Sequence, residues 1–308
     1  MNAENNDHNA QEQELWERIR TTEGAERADV LDELSHIAYN RDNYIECLQL
    51  VDTSIEIYNS LGVDLHTRDI IHVTKGKAFC LVNLKRIREA AEAFETLAQL
   101  YQQSDDTDGF IRAKRDAACN WYEIAEWQKC LDSHTAAKDA IDPDATPMSM
   151  GFDLLNIGMA HAKLENYEAA IVSFLSARLL FKEAKNPEHV NWCDNNLSKV
   201  FFTIKNGPEA KFHAQHYFNY SKVAEDLTME GFARYRLGAA HLICSEYQEA
   251  ETQLTRALEL LTLDEQKDWQ AILEANRHLA QALRELNRED EAKTRLECIK
   301  TIEETMAA

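Results

Sequence analysis

Apolar residues recur three and four apart along almost the whole chain, the spacing that lays a stripe down one side of a helix. In Asp153–Phe181, DLLNIGMAHAKLENYEAAIVSFLSARLLF, this spacing predicts two amphipathic helices meeting at Glu165-Asn166. Leu154, Ile157, Gly158, His161 and Leu164 make the first stripe; Tyr167, Ala170, Ile171, Phe174 and Ala177 make the second. The pattern then repeats. The position of Ala170 recurs at Cys47, Ala90, Cys130, Ala210, Ala250 and Ala292, stepping by 40 residues between Ala90 and Ala250. A small residue keeps the same beat in the middle of each first helix: Ser35, Ala78, Ala118, Gly158, Ser198, Gly238 and Ala280. An apolar or aromatic residue opens most second helices, at Tyr44, Ile87, Trp127, Tyr167 and Tyr247, and Phe94, Phe174, Leu254 and Leu296 fill the next turn.

These registers predict a leading helix at about Leu15 to Thr22 and then seven helix pairs from Ala25 to the C-terminus. Asn186-Pro187 and Thr146-Pro147 have the form of helix starts, with Pro at a first helical position. Gly207-Pro208, Asp42, Ser245 and Asp264 mark other boundaries. One pair cannot bury its stripe alone, so neighbours must stack into a continuous core. The expected fold is all-α, a right-handed superhelical α-solenoid of about seven pairs. No linker rich in Gly, Pro or Ser divides it, so residues 15–308 read as one domain and the polar residues 1–14 as a disordered tail.

Composition sharpens this picture. Nine Gly and four Pro in 308 residues are too few turn-formers for a many-stranded sheet protein. No apolar run reaches membrane-spanning length, and the N-terminus has no secretory core, so a cytoplasmic protein is expected. Seven cysteines lie inside helical patterns without a C-x-x-C pair, which suits free thiols in a reducing compartment. The net charge of −21 repels phosphates and anionic headgroups, which argues against nucleic-acid and membrane partners.

The quoted Asp153–Phe181 pattern resembles a tetratricopeptide (TPR) repeat, and the resemblance covers roughly residues 25–305. The ordinary repeat is 34 residues; the longer one here is similar to those of Rap-type peptide sensors, kinesin light chains and SNAP-like adaptors. Two departures stand out. The fifth pair has Gly207-Pro208 where the aromatic belongs and Tyr217 in place of Ala; the seventh opens with Glu289. The resemblance implies a bacterial or phage regulator whose first helices line a concave peptide-binding groove. Residues two before the mid-helix small residue then face the ligand: Asp116, Asn156, Asn196 and Arg236. With their neighbours, the candidate groove set is Arg115, Asn156, Lys163, Trp192, Asn195, Asn196, Lys199, Tyr235 and Arg236. Asn carries a donor and an acceptor, matching one peptide unit, and Lys163, Lys199 and Arg236 suit a peptide carboxylate or acidic side chain. Capping or bridging between repeats is the plainer role for the two asparagines.

The expected function is therefore a non-catalytic adaptor or regulatory sensor that grips a peptide or protein segment; a homodimer is allowed. The alternative is a scaffold acting through its convex face or ends, for which the aromatic fifth pair (Phe201, Phe202, Phe212, Tyr217, Phe218, Tyr220) is the relevant feature; otherwise that cluster is core. Gly207-Pro208 is read as a break that acts as a hinge. No catalytic motif is present, and no cofactor or metal is expected. His213 with His216, and His189 with Cys193, lack further ligands. The acidic stretch SDDTDG fails as a calcium loop, with Ser104 and Arg115 where ligands should stand, and reads as a turn with Asp108 capping the next helix.

Overall fold

A computed structural model describes residues 2–62, 65–142, 147–263 and 267–307. Its contacts divide the chain into two compact units, Met1–Ala145 and Thr146–Ala308, where the sequence had shown no linker and suggested one domain. The first unit holds α1 (Asn2–Ile19), α2 (Gly24–Asn40), α3 (Tyr44–Leu61), α4 (Thr67–Asn83), α5 (Ile87–Gln103), α6 (Thr107–Glu123) and α7 (Trp127–Asp139). The second holds α8 (Pro147–Lys163), α9 (Tyr167–Glu183), α10 (Pro187–Thr203), α11 (Gly207–Ala224), α12 (Leu227–Ile243), α13 (Tyr247–Leu263), α14 (Trp269–Glu285) and α15 (Glu289–Ala307). Every described element is helical, and from α2 onward they form the seven expected pairs. The N-terminus differs: α1 begins at Asn2, where a tail to residue 14 and a helix from Leu15 were expected. No helix among the described residues is long and apolar enough to cross a membrane.

The repeat has a direct packing cause. The second helix of a pair drops a large side chain onto the small residue of the first. A Cβ on Gly158 would lie 2.6 Å from Cε1 of the fully buried Phe174, and one on Gly238 would lie 2.6 Å from Cγ of Leu254. All seven small residues are buried, as are all seven at the Ala170 register. Leu296 is the exception to the next-turn rule and is exposed.

Each turn within a pair is built alike. A left-handed residue follows the first helix, with φ near +60° at Asp42, Lys85, Ala125, Glu165, Lys205, Ser245 and Asn287. The next amide then reaches back five residues, as in Asn166 N–H to His161 O at 2.9 Å and Glu246 N–H to His241 O at 3.0 Å, closing a Schellman-type end. Side-chain caps begin several helices: Asp106, Asn186, Asp226 and Asp268 accept from the backbone amide three residues on, at 2.8–3.1 Å. The cap of α6 is thus Asp106, not Asp108, which sits inside the first turn. Gly207-Pro208 opens α11 behind the Asn206 cap and so begins a helix instead of hinging one. Gly207 is small because Sγ of Cys244 would stand 2.8 Å from its Cβ. Pro147 opens α8, while Thr146 and Asp264 lie outside the described residues.

Candidate functional site

In the second unit the first helices touch along a row, α8 with α10, α10 with α12 and α12 with α14. The face of that row carries the side chains selected by the 40-residue register. Three cations meet there. Burial, reinforced by Arg236 and Lys163, pushes the Lys199 amine down to about 8, with Asp268 opposing. Burial also lowers the Arg236 guanidinium. The Lys199 amine makes no ion pair among the described residues, and its backbone carbonyl accepts from Thr203 Oγ1 at 3.0 Å. Nε of Arg236 is sealed from solvent and has no hydrogen-bond partner. In a chain of net charge −21, two part-buried cations have thus been brought together with only the Asp268 charge and the neighbouring tyrosines to offset them. Such an arrangement costs stability unless an anion joins it.

Aromatic rings hold the cluster in place. The Arg236 guanidinium lies 4.6 Å from the centroid of the buried Tyr235 ring. His278 of α14 stacks on the same ring at 5.8 Å and 16°, and meets Phe202 edge-on at 5.2 Å. Tyr217 of α11 packs close enough to Arg236 to feel its charge, although burial still raises its hydroxyl to about 12. The departure from Ala at this register therefore puts a buried phenol beside the guanidinium.

His278 was missed by the sequence reading. It occupies the rung position, two before Ala280, but the step from Gly238 is 42 residues, so a fixed period passes over it. Its Nδ1 is buried without a partner, like Oδ1 of Asn195 and Oδ1 of Asn276. Burial, ahead of the neighbouring charges, holds its imidazole below the ordinary range.

The asparagine rungs are half-buried and partly engaged. Asn156 donates to Phe152 O at 3.1 Å and Asn196 to Trp192 O at 2.9 Å, each within its own helix. One N–H is thereby taken, leaving the other N–H and the amide oxygen for a ligand. Trp192 is 43% exposed and its ring meets His189 tilted at 58°, with the centroids 4.4 Å apart. Lys163 ends α8 and is exposed. Arg115 and Asp116 belong to α6 in the first unit, where burial raises the Asp116 carboxyl against Lys75 and Arg112.

The aromatic fifth pair divides between two roles. Phe201 and Tyr217 are core, whereas Phe212 is 53% exposed. The cysteines divide as well: Cys47, Cys80, Cys130 and Cys193 are buried, but Cys119 and Cys298 are exposed. His161 and His241 share a register yet differ in partners, since His241 Nδ1 pairs with Glu246 and His161 Nδ1 has none.

No family model and no curated protein sequence matches the chain. Solved structures do. One is a signal transduction ATPase with numerous domains that carries a tetratricopeptide repeat sensor, from Pyrococcus horikoshii. The likeness covers 90% of this chain at TM-score 0.66 and 14% identity, and spans 42% of that longer protein. The apo form of RapI matches at TM-score 0.62 and 11% identity, covering 89% of this chain and 76% of that one. Aspartyl phosphate phosphatase F from Bacillus subtilis matches at 0.55 and 12%, covering 90% and 72%. At these identities the likeness is one of fold, and the fold is that of tetratricopeptide-repeat proteins, as the resemblance implied.

Proposed function

We propose that the first-helix face of the second unit binds a peptide or protein segment and seats an anionic group of it on Lys199 and Arg236. The observation that carries this reading is the pair of part-buried cations, offset only by Asp268 and neighbouring tyrosines, beside buried polar atoms that lack partners. A carboxylate, from an acidic side chain or a chain terminus, supplies the missing charge and accepts from the guanidinium. Asn156, Asn195 and Asn196 offer polar groups along the same face for the backbone, and Trp192 offers an exposed ring. The chain then acts as an adaptor or regulatory sensor without chemistry of its own, in keeping with the tetratricopeptide repeat sensor of the Pyrococcus protein.

The test is a pull-down from native lysate with wild-type protein and Arg236→Gln, followed by identification of the captured segments. A partner held by wild type and lost from the variant supports the reading. Equal capture by both overturns it.

A second reading has its own observation. Val172, Leu175 and Leu179 form an exposed apolar stripe on α9, and Phe212 on α11 stands at the Val172 register. A scaffold that works through its second helices would use this stripe. Light scattering on Leu175→Asp separates the two, since only the scaffold reading expects that change to dissolve an assembly.

A further inference from the structure

Outside the proposed groove, the first unit brings three metal-ligating side chains to one point. Asp32 and His36 lie four apart on α2, on one face, and His72 reaches them from α4. The two imidazole Nε2 atoms are 3.1 Å apart. Oδ2 of Asp32 is 3.2 Å from Nε2 of His72 and 3.7 Å from Nε2 of His36. Among the described residues no other trio of His, Cys, Asp or Glu donors gathers this closely.

We infer that Asp32, His36 and His72 form a binding site for a divalent transition-metal ion, of which zinc is the best fit. The distances carry the argument. Donor atoms about 2.0–2.1 Å from a tetrahedral metal stand about 3.3 Å from one another. The three edges measured here bracket that value, so an ion fits against all three donors with little side-chain movement. Two imidazoles and one carboxylate suit zinc, and also cobalt, nickel or iron, far better than calcium or magnesium, which prefer all-oxygen shells.

The surroundings are arranged accordingly. The Ser35 hydroxyl, which donates to Asp32 O at 2.7 Å, also lies 3.4 Å from Oδ1 of the carboxylate, leaving Oδ2 to face the imidazoles. Both histidines are more than half exposed, and a cavity of about 280 Å³ opens beside them, lined by Tyr39, Lys75, Gly76 and Phe79. That space leaves room for water at the fourth position. Because α2 and α4 open consecutive pairs, an ion held here staples the first helix of one pair to the first helix of the next.

The experiment is calorimetric titration of untagged protein with Zn²⁺, repeated with Co²⁺ to record its visible spectrum. The exposed Cys119 and Cys298 are changed to Ser beforehand so that thiols do not compete. One equivalent of metal should bind, with the strong d–d bands of tetrahedral cobalt and no thiolate charge transfer. His72→Ala should weaken binding at least about 100-fold, and Ser35→Ala about 10-fold, as ligand and outer-shell losses do. Saturating zinc should raise the melting temperature of the first unit by roughly 5–10 °C, and not in His72→Ala. Equal binding by wild type, His36→Ala and His72→Ala overturns the site. Absence of binding by wild type at millimolar metal overturns it too. Either result leaves the groove in the second unit untouched.

Discussion

Replacing Lys199 by Met should make the protein more stable and less able to bind. Lys199 is held at about 8, first by burial and then by Arg236 and Lys163, against about 10.4 in the unfolded chain. The difference corresponds to about 3 kcal/mol of destabilisation while the amine is charged, or about 2 kcal/mol after allowing for partial screening at a half-buried position. The sign with pH follows. Below about 8 the amine is protonated in both states, and the full cost is present. Between about 8 and 10.4 the unfolded chain binds more protons than the native one, so the Lys199 contribution to stability rises with pH there. Methionine has a similar length, no charge and adaptable packing. Lys199→Met should therefore gain about 2 kcal/mol at pH 7, or roughly 4–8 °C in the melting transition of the second unit. Calorimetric scans at pH 7 and pH 10 suffice. The gain should shrink toward zero at pH 10, because wild type has by then shed its charge. A variant that melts lower than wild type at pH 7, or a gain that persists unchanged at pH 10, refutes the reasoning.

Three further outcomes follow from the packing. Asp194 is buried and pairs with Arg178 at 2.8 Å and the buried His213 at 2.6 Å, so Asp194→Ala should cost about 3–5 kcal/mol, read by urea unfolding of the second unit. Gly158→Ala should cost about 1–2 kcal/mol despite the better helix propensity of Ala, because the fully buried Phe174 ring cannot move off the new Cβ; a melting curve checks it. Glu165→Gly should stabilise by up to about 1 kcal/mol, since Glu165 sits at φ +61° in a turn that glycine enters without strain.

The architecture was largely readable because one packing event, a large side chain seated on Gly158 or Gly238, recurs at a nearly fixed interval and leaves its mark in residue size. The site was readable only where the interval held. Arg236 and Asn196 fell on the beat, whereas His278 lay beyond a step of 42 and was passed over. That Asn196 would spend a donor on Trp192 O depends on rotamer choice within its own helix, to which residue spacing is blind. The meeting of His36 with His72 was equally hidden. They lie on different helices and their separation of 36 residues is not the repeat, so only the packing of α2 near α4 brings them together. The helical N-terminus also escaped, since polar residues with no apolar stripe give periodicity nothing to detect.

The proposed anion seat is best examined by selecting peptides from a random display library on the wild-type protein and measuring each by fluorescence anisotropy against wild type and Arg236→Gln. The selected peptides should carry a required acidic side chain or free terminal carboxylate. Their binding should weaken at least about 30-fold in the variant, the usual consequence of removing one partner of a buried charge pair, while its melting temperature does not fall. Peptides that bind the variant as tightly as wild type, or that tolerate neutralisation of every carboxylate, would contradict the account.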